Sequence, residues 1–121
     1  MTGITHKSFD SADETRPFED GKGKLQLVTT AHGPVGRAVF EPGWQWSQHV
    51  APLAGTKSCE AAHAGYVVSG RMKIVMDDGE TGEAAPGEFF AVEPGHDAWV
   101  LGDEPCVVID WIGFGDYAKP S

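Results

Sequence analysis

The run Cys59-Glu60-Ala61-Ala62-His63-Ala64-Gly65-Tyr66-Val67-Val68-Ser69-Gly70 leads straight into Arg71-Met72-Lys73-Ile74-Val75-Met76 and the turn Asp77-Asp78-Gly79-Glu80, and its reading decides the fold. An apolar run ending at Val68, a glycine that turns the chain, and then basic and apolar residues in alternation describe two strands, the second half-buried. Asp78-Gly79 is a hairpin dipeptide, so residues 80–84 are expected to return as the partner strand.

The same punctuation extends outward. Pro86-Gly87 precedes a strand at 88–92, Pro94-Gly95 one at 97–101, and Gly102-Asp103-Glu104-Pro105 the last long strand at 106–111. Upstream, Leu25 and Leu27 alternate with Gln26 and Val28 in a first strand at 24–30, His32-Gly33-Pro34 is a turn, and 35–41 reads as a second strand. After Pro42-Gly43, residues 44–49 are expected to be extended, with Trp44 and Trp46 on one face and His49 on the other. Residues 50–58, with Pro52 and Gly55, read as a loop. Residues 1–23 lack periodicity and read as an arm whose Phe9 and Phe18 anchor it either on the domain or on a second subunit.

Nine or so short strands, with no 3.6-residue period sustained over a dozen residues, point to an all-β domain, either a closed barrel or a two-sheet jelly roll. Sixteen Gly and eight Pro in 121 residues match that need for turns, and the length suits one hydrophobic core: an arm at 1–23 and a barrel domain at 24–121. A net charge of −9 argues against nucleic acid or an anionic membrane as partner. No run of eighteen apolar residues occurs and the first twenty residues are polar and acidic, so a cytoplasmic location is expected. Cys59 and Cys106 are expected to be reduced thiols, Cys106 as a small buried apolar residue.

Gly43 with five residues before His49, and His63 with six residues before Gly70, resemble the opening and the close of the first cupin motif. Pro86-Gly87-Glu88 and Pro94-Gly95-His96 echo the second. Over roughly 35–111 the chain therefore resembles the cupin superfamily, as a small single-domain, cupin 2-like conserved barrel, which implies a jelly-roll β-barrel of two antiparallel sheets. The ligand pattern departs from that family: Ala51, His63 and Ala98 stand where it has histidine, glutamate and histidine, and His96 lies one strand period before Ala98.

Cys59, four residues before His63, is a natural substitute for a missing ligand, so the resemblance makes His49, Cys59, His63 and His96 the candidate metal ligands. Such a set suits Zn²⁺ above all and can also hold Fe, Ni or Cu. His6 and His32 fall outside the motifs and read as surface residues. Asp97 reads as a surface carboxylate on the face opposite His96, and neither Glu60 nor Glu93 has a spacing that demands catalysis. The resemblance implies a metal-dependent enzyme on a small organic substrate; the alternative is a non-catalytic module that binds or senses a metal or a small ligand. The resemblance also implies a homodimer. Four protein ligands at once would fill a tetrahedral shell and favour a structural ion.

Overall fold

A computed structural model describes residues 3–112. Nine strands are present among them: β1 (Glu14–Pro17), β2 (Gly23–Thr30), β3 (Gly33–Phe40), β4 (His63–Ser69), β5 (Arg71–Met76), β6 (Thr81–Ala84), β7 (Phe89–Val92), β8 (His96–Leu101) and β9 (Cys106–Ile112). They form two antiparallel sheets, one in the order β1-β2-β3-β9-β4-β7 and the other β6-β5-β8. The fold is thus all-β with two antiparallel sheets, as the alternation predicts, but the ladders of the two sheets are separate and do not join into one continuous barrel wall.

Consecutive strands β4 and β5 lie in different sheets, and the corner between them depends on Gly70. Its φ of +76° lies in the left-handed region, and a side chain there would run into the Pro105 carbonyl and the Cys106 backbone. The inward residues of β5 (Met72, Ile74) and β8 (His96, Ala98, Val100) therefore face those of β3, β4 and β9 across one core.

Residues 44–49 are the one place where the expected strand is absent. Trp46–His49 is instead a short helix, α1, followed by a second, α2 (Ala51–Ala54). Asp97 on β8 accepts the Ser47 N–H at 3.0 Å and the Gln45 side-chain amide at 3.0 Å, so the first turn of α1 is capped by a carboxylate from a distant strand. Asp97 is accordingly half-buried and structural, where a surface role was expected. Helical spacing puts Trp46 and His49 on the same buried face, and Trp44 is buried too, so the alternation expected of these residues does not hold. Gly55 ends α2 in the left-handed conformation.

The N-terminal segment is built into the domain. β1 pairs with β2 from Glu14↔Leu27 to Pro17↔Lys24, which a four-residue strand containing proline did not announce. Phe18 sits in the core, stacked on Phe40 at 5.4 Å and tilted against Trp44 at 5.7 Å. Phe9 packs under the Arg37 guanidinium, and Arg37 in turn bonds Asp10 and the buried Gln26, which covers the outer face of β2. The outer face of β4, β7 and β9 is left open and apolar, with Tyr66, Val68, Phe89 and Trp111 exposed and the Phe89 and Trp111 rings 5.9 Å apart. No helix among the described residues is long and apolar enough to cross a membrane.

Truncating Phe18 removes a fully packed ring from the core, so Phe18→Ala is expected to cost about 3–5 kcal/mol in denaturant unfolding. Phe9→Ala, which loses one surface cation–π contact, is expected to cost about 1 kcal/mol or less. Equal losses from the two variants would contradict an arm anchored through Phe18.

Candidate metal centre

Three of the four expected ligands meet where the two sheets come together. His63 opens β4 and pairs with Val92, His96 opens β8 and pairs with Met76, and Cys59 comes from the loop before β4. That loop is fixed by backbone: Cys59 N–H donates to the His96 carbonyl at 2.8 Å, while the Gly95 N–H donates to the Cys59 carbonyl at 2.7 Å. One donor atom from each of Cys59, His63 and His96 lies within 4.8 Å of the others. Cys59 Sγ is 3.4 Å from His63 Nε2, and the two imidazoles meet edge to face, centroids 5.5 Å apart at 71°.

The sulfur–nitrogen separation fits a metal ion. A thiolate and an imidazole at ordinary bond lengths around a tetrahedral ion stand about 3.5 Å apart, close to the observed sulfur–nitrogen distance. The ring orientations fit as well. His96 Nδ1 lies 2.7 Å from the Glu93 carbonyl, which can only accept, so the neutral ring carries its proton there and leaves Nε2 with a lone pair. His63 presents Nε2 to the thiol and turns Nδ1 toward Asp110, 4.0 Å from Oδ2.

His49 does not join this group. Because 46–49 is helical, its ring turns toward the 3₁₀ turn Glu19–Gly21, where Nδ1 meets the Gln45 N–H at 3.0 Å and Nε2 lies 3.8 Å from Asp20 Oδ2. His6 and His32 are exposed, away from the site. Cys106 is fully buried and, like Cys59, a free thiol.

Asp110 is the residue that the motif reading passed over. It follows the inward residues Cys106 and Val108 of β9 at period two, and that position alone could have singled out a carboxylate pointing into the core. Its Oδ1 is buried without a hydrogen-bond partner. The carboxylate fits because the residue opposite it, across the β4–β9 pair, is Gly65: a Cβ there would stand 2.6 Å from Asp110 Oδ1 and collide with the Ile109 carbonyl.

His63, His96 and Asp110 line a partly open pocket of about 60 Å³ whose remaining walls are apolar, Phe40, Met72 and Phe90 among them. Burial shapes the protonation states there. It pushes the Asp110 carboxyl up to about 7 and the Cys59 thiol up to about 11, and, with the neighbouring His96, holds His63 down to about 4.

No protein-family model matches the sequence, and no curated protein sequence matches it. Solved structures do. A Rhizobium leguminosarum protein of unknown function is 16% identical, with a TM-score of 0.63 over 99% of this chain and 100% of its own. A Klebsiella pneumoniae protein with a double-stranded β-helix domain is 21% identical, with a TM-score of 0.60 over 95% and 94%. A cupin-superfamily sugar phosphate isomerase from Silicibacter pomeroyi is 21% identical, with a TM-score of 0.60 over 88% and 73%. At these identities the likeness shows the fold, the double-stranded β-helix of the cupins, and the fold alone.

The raised Asp110 carboxyl has a consequence for the metal-free protein. Ionising it costs more in the folded chain than in the unfolded one, so its contribution is fully favourable below the ordinary value of 3.8 and is lost as pH rises through about 7. Asp110→Asn is therefore expected to gain thermal stability relative to wild type between pH 4 and 7, with the difference levelling off above. A difference that does not change with pH would contradict a neutral buried carboxyl.

Proposed function

We propose that the chain is a single-domain cupin that holds a divalent transition metal on Cys59, His63 and His96 and acts as a metal-dependent enzyme on a small organic molecule. The observation that carries this reading is the donor count. Three side chains from two separate stretches, residues 59–63 and the start of β8, converge, two of them on a pocket wall, and the fourth candidate lies elsewhere. Three protein donors are typical of catalytic zinc sites, which keep a position for substrate, whereas a fourth would close the shell. One thiolate and two imidazoles suit Zn²⁺ and also accept Fe, Ni or Cu.

The ion would supply Lewis acidity at the polar end of the cavity. The protein's own residues do the rest. The Glu93 carbonyl fixes the tautomer of His96, and Asp110 stands at the other nitrogen of His63. Asp110, a buried carboxyl beside His63 with one oxygen left without a hydrogen-bond partner, is the general acid–base candidate. The apolar walls keep water away from these groups and strengthen every electrostatic interaction between them.

Cys59 gives up its thiol proton on binding, so metal affinity is expected to rise with pH. Protein purified without an affinity tag is expected to carry about one divalent ion per chain by elemental analysis. Cys59→Ser and His63→Ala are expected to lose most of it, and His49→Ala to retain it. Unchanged content in both of the first two variants would remove the ligand assignment, and loss in His49→Ala would contradict a three-donor shell.

A further inference from the structure

β6 is an edge of the smaller sheet and β7 an edge of the larger one, and the hydrogen-bonded ladders do not join across the gap between them. At the surface this seam opens into a hollow of about 270 Å³. Ile74 and Val92 line both the hollow and the pocket beside the proposed ligands, so they form the wall that the two share. Each sits beside a proposed ligand. Val92 is the ladder partner of His63, and Ile74 pairs with Ala98, one strand period from His96. The outer lip includes Glu93, whose carbonyl meets His96 Nδ1, so the mouth and the centre are joined through three residues of chain.

The charged side chains along this route are carboxylates. Glu80 and Glu93 are exposed at the mouth, and Asp110 stands at the inner end; the wall between is apolar. Carboxylates at a narrow mouth repel anions, and apolar walls penalise any ion that must leave its water behind. We propose that the seam between β6 and β7 is the entry port of the site, gated by Ile74 and Val92, and that it admits compact uncharged molecules with an apolar body while turning anions away. What such a molecule meets at the inner end rests on the metal reading above; the port itself rests on the two cavities and their shared wall.

The test uses the full chain and two probes with the same azole head, neutral pyrazole and anionic pyrazole-4-carboxylate. In the metal-free, ¹⁵N-labelled protein, pyrazole is expected to shift the backbone amides of Ile74, Val92 and His96. Shifts confined to residues away from the seam overturn the port. In cobalt(II)-loaded protein, pyrazole is expected to change the visible cobalt spectrum, with the carboxylate binding roughly tenfold more weakly or worse. Equal binding of the two overturns the charge selection, and the pair Glu80→Gln with Glu93→Gln is expected to narrow the gap. Val92→Trp, with Ile74→Phe as a milder plug, is expected to slow pyrazole binding about tenfold while the thiolate-to-cobalt absorption persists. A wild-type rate in either plugged variant that keeps this absorption overturns the gate. A chain that takes up no cobalt yet shows the amide shifts removes the metal reading and leaves the port standing.

Discussion

The backbone bridge between Cys59 and His96 is the constraint on which the site depends. Loops of this length are free to place a thiol in many positions, and here two short hydrogen bonds, Cys59 N–H to the His96 carbonyl and Gly95 N–H to the Cys59 carbonyl, remove that freedom. The bridge also ties the loop before β4 to the start of β8, so it joins the two sheets where their ladders do not. His63 and His96 stand on strand ends, and the thiol is brought to them by this main-chain bridge, with Ser58 beside it bonded to Asp77 at 2.6 Å. A centre built this way is held by the fold before any ion arrives, which lowers the entropy that binding must overcome.

Holding these groups together has a cost that the surroundings reveal. Two imidazoles and a carboxyl line an apolar pocket with a thiol beside them, and burial drives each titrating group with a resolved shift toward its neutral form: Asp110 and Cys59 upward, His63 downward. A divalent cation reverses that logic by favouring the thiolate and the neutral imidazoles together. The polar cluster is thus a poor core, and its donors are of the kind that could hold a metal ion. Gly65 belongs to the same design, since the space it leaves is what the Asp110 carboxylate occupies.

Much of this was legible in the residues. Alternation and Gly/Pro punctuation located the strands from β2 onward, because a half-buried sheet imposes period two on every strand it contains. Even the displaced His96 could be read, since one strand period keeps it on the same side as Ala98. The failures share a cause. Residues 44–49 alternate well enough to be a strand, yet they turn into a helix because Asp97, about fifty residues later, caps the first turn; nothing local records that contact. His49 left the ligand set for the same reason. Arg16 is buried on the short β1 beside Glu14 at 2.7 Å, a polar pairing that hydrophobic patterning does not register. Asp110 was visible as an inward carboxylate in an apolar strand, although neither histidine motif reaches it.

The central claim is that the Cys59 thiol and the His63 and His96 imidazoles share one ion. X-ray absorption at the metal edge of the loaded, untagged protein tests it most directly. The account predicts a shell with about one sulfur near 2.3 Å and about two imidazole nitrogens near 2.0–2.1 Å, completed by a light atom that is not a third imidazole. A shell without sulfur, or one with three imidazoles, would contradict it.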